Sequence, residues 1–233
     1  MKKLEHLAII VDGNGRWATQ RGKIRSEGHK EGSKTLEKLI LHIARTTDIK
    51  VASFYVFSTE NFKREEKEVS YLMKLFGLMF ERVKEKYLKE NIKIVFSGAE
   101  EGLNKQVLSK MKSLENETKD NTGLIVNFCL NYGGRREIVD TTKKLVEKVQ
   151  KGELKKEEIN EETFQKNLYN DLPDVDFLIR TSGEQRLSNF LLWEVSYAEF
   201  YFPDTYFPDF DEKEFDKAIE VYQNRDRRFG GVK

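Results

Sequence analysis

Apolar runs recur along the chain at "HLAIIVD" (6–12), "VASFYVF" (51–57), "IKIVF" (92–96), "LIVNFCL" (124–130) and "VDFLIR" (175–180), with a shorter one, "EFYF", at 199–202. Most show no alternation of polar and apolar positions, so both faces of each strand are expected to be buried, as in a parallel sheet. Between the runs, 28–46, 68–91, 103–119 and 134–150 repeat their apolar positions at helical spacing, and a last helix is predicted near 211–224. That alternation predicts one α/β domain over residues 1–233: three layers, with a mainly parallel six-stranded sheet flanked by helices and joined by right-handed crossovers. Pro173, Pro203 and Pro208 all lie in the last quarter, so elements can run unbroken before them. In such sheets ligands gather at the carboxyl ends of the strands.

The segment 68–91 puts Val69, Leu72, Met73, Phe76, Met79, Phe80, Val83 and Tyr87 on one face of a helix about 36 Å long. Such a stripe usually faces a core; the alternative is the wall of an elongated apolar pocket. The charged stretch "KGELKKEEINEE" (151–162) reads as a solvated loop and helix start, with no chemistry assigned to it.

Composition narrows the function. The 233 residues are 38% hydrophobic, enough for one sizeable core. Lys plus Arg is 41 against 40 for Asp plus Glu, so no chain-wide field exists for nucleic acid, and a basic ligand site must be local. Cys129 is the only cysteine and sits in an apolar run, which excludes a disulfide framework or a thiolate zinc site and points to a reducing, cytoplasmic setting. With His6, His29 and His42 as the only histidines, none four residues from another, any metal should be hard and oxygen-ligated. The apolar stretch Leu7 to Val11 is too short for a signal-peptide core, and no run is long enough for a membrane span.

The candidate chemistry begins at "IIVDGNGRWATQRGKIR" (9–25). Its Gly-x-Gly-x-x-Ala pattern after a strand superficially fits a dinucleotide fingerprint. However, Asp12 would repel a pyrophosphate unless a cation lay between them, and no acidic residue closes the second strand at the required distance. With Mg²⁺ bridging Asp12 and a diphosphate, the stretch makes sense: Gly13 and Gly15 admit oxygens to the backbone N–H groups, while Arg16 and Arg25 neutralise charge. The competing reading is a tight turn with Asp12 as a cap. His29, one turn beyond Arg25, either faces the same anion or is structural.

Ser58, Thr59, Glu60, Asn61 and Arg64 follow the second strand, at the same sheet edge or as capping residues. After the fifth strand, Arg180 and Arg186 with Ser182, Gly183 and Ser188 form a second anion-binding set, implying two diphosphates. Glu199 is either a second oxygen ligand for the cation or a salt-bridge partner. No Ser-His-Asp order, Walker loop, HExxH helix or Asp-Asp-x-x-Asp motif is present.

"HLAIIVDGNGRWA", "GHKEG", "YVFSTENFKR", "NYGGRREI", "IRTSGEQRLSNFLLWEVSYAEFYF", "PDF" and "RDRRFGG", in that order, resemble the cis-prenyltransferases, in particular the bacterial undecaprenyl diphosphate synthases, over essentially the whole chain. The resemblance implies a cytoplasmic homodimer, free of transmembrane segments or peripheral at the inner face of the membrane. It implies Mg²⁺-dependent addition of isopentenyl diphosphate units in cis to farnesyl diphosphate, giving the lipid carrier precursor for peptidoglycan and other cell-wall polymers. Carried over, Asp12 is the catalytic aspartate and metal ligand, and Asn61 stands at the proton-acceptor position. Gly13, Asn14, Gly15, Arg16, Arg25 and His29 match the allylic diphosphate site, with Trp17 and Phe62 lining the cleft. Ser58, Thr59, Glu60 and Arg64 match a mobile substrate loop, Arg180, Arg186, Leu187 and Ser188 the isopentenyl diphosphate site, and Glu199 the second metal ligand. Arg228 to Gly231 resemble a tail that reaches the neighbouring subunit. The resemblance also favours the 68–91 stripe, with Val56 and Leu124, as a tunnel wall for the growing hydrocarbon. Gln185 stands where many relatives have histidine, and Phe62 replaces a tryptophan. A synthase of other chain length, a noncatalytic partner subunit and a nicotinamide oxidoreductase are the competing readings.

Overall fold

A computed structural model of the chain describes residues 3–225. Six strands form one sheet: β1 (His6–Ile10), β2 (Val51–Ser58), β3 (Lys93–Ser97), β4 (Ile125–Tyr132), β5 (Phe177–Arg180) and β6 (Glu199–Tyr201). Their order is β3-β4-β2-β1-β5-β6, and every pairing is parallel. Residues of β1 divide by parity. Leu7 and Ile9 join the larger core with Phe54, Val126 and Phe128, whereas Ala8 and Ile10 join a smaller one with Tyr55, Cys129, Phe190 and Leu191. Both faces of β1 are therefore dry, which explains its unbroken apolar run.

The helices are α1 (Asn14–Gln20), α2 (Arg25–Thr46), α3 (Glu66–Lys89), α4 (Lys105–Thr118), α5 (Gly134–Gln150), α6 (Glu161–Gln165) and α7 (Glu212–Gln223). The larger core takes the apolar faces of α2, α3, α4 and α7, including Leu36, Phe76, Leu114 and Phe215. The charged 151–162 stretch is the connection expected of it, a loop and short 3₁₀ turn running into α6.

One element departs from the sequence reading. Residues 14–20 form α1 and α2 begins at Arg25, three residues before the predicted start. A Gly-containing segment of seven residues has little helix propensity of its own, and packing supplies the rest. Cβ atoms at Gly28 and Gly32 would fall 1.9 Å from the Asn14 backbone oxygen and 2.0 Å from its Oδ1, so the "GHKEG" pair lets α1 lie directly on α2. Asn14 Nδ2 donates to the Val11 carbonyl at 2.9 Å, tying the start of α1 to the end of β1.

β1 lies at the centre of the order, with β2 on one side and β5 on the other, so the chain reverses its winding there. A crevice at the carboxyl ends of β1, β2 and β5 is the topological consequence.

Candidate active site

β1 delivers Asp12 to that crevice. The turn after it needs Gly13, whose φ is +98° and whose added Cβ would lie 2.6 Å from Tyr206 Cδ1. Asp12 Oδ1 accepts from the Gly13 N–H at 2.6 Å and lies 3.3 Å from Arg16 Nη2, while Oδ2 accepts from Arg180 Nη2 at 2.8 Å. Burial alone would raise the Asp12 carboxyl. The hydrogen bond and charge of Arg180, then the Gly13 N–H and the Arg16 charge, outweigh it and hold the group below the usual carboxylate range.

Arg180, at the end of β5, is 4% exposed and forks between Asp12, the Ser188 Oγ at 2.7 Å and the Arg186 carbonyl. Ser188 is held in reach by a left-handed backbone (φ 49°), as are Ser182, Asn189 and Leu191 in the same connection. Four non-glycine residues in that region within one loop mark a segment strained into shape around its polar groups. The two anion-binding sets, separate in sequence, therefore meet through the Asp12–Arg180 pair.

β2 brings the third wall. Asn61 caps its own turn by accepting from the Ser58 N–H through Oδ1 at 3.1 Å. Arg64 donates to Glu68 Oε1 at 3.0 Å, and Arg25 Nε to Glu68 Oε2 at 3.4 Å. His29 Nε2 lies 3.4 Å from the same carboxylate, yet it is buried without an aligned hydrogen bond. Burial lowers the His29 pKa; Glu68 opposes this and Arg64 and Arg25 reinforce it.

Ile10, Asp12, Gly13, Asn14, Gly15, Arg16, Arg25, His29, Ser58, Asn61, Arg64, Arg180 and Ser188 thus share the wall of one cavity of about 280 Å³. Beneath it lies an apolar space of about 40 Å³ between α2 and α3, reached past Val11, Asn14, His29, Val56 and Leu72, which line both. Of the α3 stripe, Leu72, Phe76 and Met79 face that space; Met73, Phe80, Val83 and Tyr87 are core, with Val69 packed against it. The stripe is mainly core-facing, with one segment serving the cavity. Leu124 is buried in the larger core just before the amino end of β4 and lines neither space.

Other expected residues stand outside the cavity wall. Trp17 turns away: its Nε1 donates to Asp209 at 2.7 Å and the Arg21 guanidinium covers its ring, so it anchors α1 and does not line the cleft. Phe62 is 37% exposed, edge-on to Phe57. Thr59 and Glu60 face the loop after β5, with Glu60 accepting from Asn189 at 2.9 Å. Leu187 packs on the smaller core under the opposite sheet face, a packing residue where substrate contact was expected. Arg186 is exposed and paired with Glu184.

The expectation for Glu199 is corrected most clearly. Its register partner is Phe177, itself level with Leu7, so Glu199 sits at the amino end of the sheet, about 16 Å along the strand direction from Asp12. It pairs with Arg225 at 2.9 Å. The two carboxylates of one subunit cannot hold one ion. Arg228 to Gly231 lie outside the described residues.

Sequence reasoning missed Glu68 and Glu184, which pair with the site's arginines, and Tyr206, which packs against Gly13 and Arg16. Glu68 is in the first turn of α3, four residues after Arg64, which closes the 3₁₀ turn before that helix.

Known proteins match this arrangement. An isoprenyl transferase of Fusobacterium nucleatum is 48% identical over 229 residues, covering 98% of this chain and 96% of that one. A ditrans,polycis-undecaprenyl-diphosphate synthase, (2E,6E)-farnesyl-diphosphate specific, of Pasteurella multocida is also 48% identical, over 98% and 95% of the two chains. Among solved structures, lavandulyl diphosphate synthase of Lavandula x intermedia, in complex with dimethylallyl diphosphate, superposes with a TM-score of 0.93 at 34% identity over 97% and 98% of the chains. A probable undecaprenyl diphosphate synthase of Campylobacter jejuni gives 0.82 at 35% identity over 99% and 100%. The family model described as putative undecaprenyl diphosphate synthase matches residues 10–230, and with it this chain belongs to the undecaprenyl diphosphate synthase family of cis-prenyltransferases.

Proposed function

We propose that the chain condenses isopentenyl diphosphate units in cis onto (2E,6E)-farnesyl diphosphate, with Mg²⁺, to make undecaprenyl diphosphate. One observation carries this reading: a single cavity gathers Asp12, Arg16, Arg25, Arg64 and Arg180 and shares its wall with an apolar space under α3. A diphosphate head and a hydrocarbon tail are the ligand that such a pair of spaces suits. The whole chain, 1–233, acts as one catalytic domain. In line with the resemblance, it works as a homodimer in the cytoplasm or peripherally at the inner face of the membrane. No helix among the described residues is long and apolar enough to cross a membrane.

The residues fit a hard cation. The Asp12 side chain is 27% exposed on the cavity wall and kept ionised, and Mg²⁺ characteristically takes one or two carboxylates plus substrate phosphates. No cluster of three or more potential ligands exists among the described residues, so diphosphate oxygens and water would complete the shell. Bound there, the ion would neutralise charge building up on the leaving diphosphate.

Arg25, Arg64 and His29 would hold the allylic diphosphate at one end of the cavity. Arg180 and Ser188, with Arg186 at the rim, would hold isopentenyl diphosphate at the other. As the allylic C–O bond breaks, these fixed charges stabilise the departing oxyanion. The isopentenyl π-bond then forms the new C–C bond, and a proton leaves the neighbouring carbon. An amide is a poor base, so Asn61, on the cavity wall, positions the water or diphosphate oxygen that accepts it.

Diphosphate release from the two substrates, followed with and without chelator, tests the reading. Asp12→Asn should cut turnover by roughly 10²–10³-fold while leaving the fold intact. Parental turnover in that variant would refute the assignment.

A further inference from the structure

Asn61, in the turn after β2, and Ser188, in the loop after β5, line the same cavity. Just outside it their sequence neighbours are joined. Asn189 Nδ2 donates to Glu60 Oε1 at 2.9 Å, and the other Glu60 oxygen accepts from Thr59 Oγ1 at 3.1 Å. The remaining polar groups of Asn189 hold the start of α5: its carbonyl accepts from the Gly134 N–H at 2.7 Å, and its Oδ1 accepts from the Arg135 N–H at 2.9 Å. A Cβ on Gly133 would fall 2.8 Å from Asn189 Nδ2 and 2.9 Å from Thr59 Oγ1, so this glycine leaves the room in which the two loops meet.

An amide suits this place because it donates on one side, to a carboxylate, and accepts on the other, from a helix N–H. Asparagine also tolerates the left-handed backbone found there (φ 66°) better than most residues. Burial alone would raise the Glu60 carboxyl. Its own N–H, the Asn189 amide and the Ser58 and Thr59 hydroxyls outweigh that and hold it below the usual carboxylate range, ionised and ready to accept. On the far side of Asn189, Ser188 shares the left-handed backbone (φ 49°), and its carbonyl accepts from the Tyr55 hydroxyl at 3.2 Å. We infer that Asn189 is a positioning residue for the incoming isopentenyl diphosphate: through Glu60 it fixes the turn that carries Asn61 against the loop that carries Ser188. The span between the proton-accepting side and the diphosphate-holding side of that substrate is thereby set from outside the cavity. This rests on the function proposed above.

Initial rates of the full-length protein, with each substrate varied while the other is saturating, test it. Asn189→Asp keeps the oxygen that caps α5, where an acidic group is favourable, and turns the bond to Glu60 into a contact between two carboxylates. It should raise the KM for isopentenyl diphosphate about tenfold. The KM for farnesyl diphosphate should change by less than about twofold, because Arg25, Arg64 and His29 gather around Glu68 and make no bond to Asn189. An added negative charge also repels a diphosphate through space, and a double-mutant cycle separates the two causes. Glu60→Gln transposes the hydrogen bond, its amide nitrogen donating to the new carboxylate. Against that background Asn189→Asp should raise the KM for isopentenyl diphosphate only about twofold or less. An equal rise in both backgrounds, an equal rise for both substrates, no rise at all, or a folding failure that Glu60→Gln does not repair overturns the inference while leaving the proposed function standing. A parent chain that does not elongate farnesyl diphosphate overturns the proposed function and the inference together.

Discussion

Gly15→Ala separates the fold from the site in one substitution. Gly15 is in the first turn of α1, and a Cβ there would lie 2.8 Å from Arg25 Cζ, 2.9 Å from Nη1 and 3.0 Å from Nη2. Nothing rigid is struck. The Arg25 side chain is 56% exposed and held by Glu68 at 3.4 Å, so it can swing out of the cavity at little cost. The helix gains roughly 0.5–1 kcal/mol on replacing glycine by alanine, and at this chain length that is a melting temperature higher by about 1–4 °C. The diphosphate site loses one charge-assisted hydrogen bond. Taken at the low end, about 1.5 kcal/mol, the loss raises the KM for farnesyl diphosphate roughly tenfold. Thermal unfolding and initial rates with farnesyl diphosphate varied at saturating isopentenyl diphosphate measure the two effects. Gly32→Ala is the contrast: its Cβ meets the pinned Asn14 side chain at 2.0 Å, so α1 must lift from α2, at a cost of about 1–3 kcal/mol. A Gly15→Ala protein that melts lower, or binds farnesyl diphosphate as the parent does, would refute the reasoning.

His6, buried between the Pro173 carbonyl and Ser53 Oγ, is pushed down to about 4 by burial. A depressed histidine contributes stability above its unfolded pKa of about 6.5 and loses it as pH falls toward 4, roughly 2 kcal/mol between about pH 8 and pH 5. His6→Gln should flatten that part of the urea-stability profile; an unchanged slope contradicts the assignment. Val56→Phe, placed where the two spaces meet, should shorten the product, and unchanged chain length would put the hydrocarbon elsewhere. Arg186→Ala should chiefly raise the KM for isopentenyl diphosphate, since Arg186 stands on the Ser188 side; an effect confined to farnesyl diphosphate would mean the two ends are exchanged.

The strands and long helices were legible because burial on both sheet faces and one-sided helix burial write themselves into the hydrophobic pattern. All six strands lie at or within two residues of the apolar runs, and α5 spans the predicted 134–150. α1 was illegible for the opposite reason: its stability lies in the gap left by Gly28 and Gly32, a pairing that no local window contains. At the site, Asp12, Asn61 and Arg180 could be placed from strand ends alone, whereas Arg25 reaches it from the start of α2. Trp17 and Leu187 could not, because a motif gives a residue's neighbours in sequence but not the direction of its side chain. Glu199 was misjudged because its place in its own strand was not used: it opens β6, and in an all-parallel sheet the first residue of a strand lies at the amino end, away from the crevice. Glu68 and Glu184 were passed over because a carboxylate in an anion site looks out of place until its arginine partners are seen.

The central claim is chain elongation in this cavity. Purified protein incubated with Mg²⁺, farnesyl diphosphate and labelled isopentenyl diphosphate, its products dephosphorylated and resolved by length, tests that claim directly. A metal-dependent product of eleven isoprene units is the predicted result. Absence of incorporation, under conditions where a known synthase elongates, would contradict it.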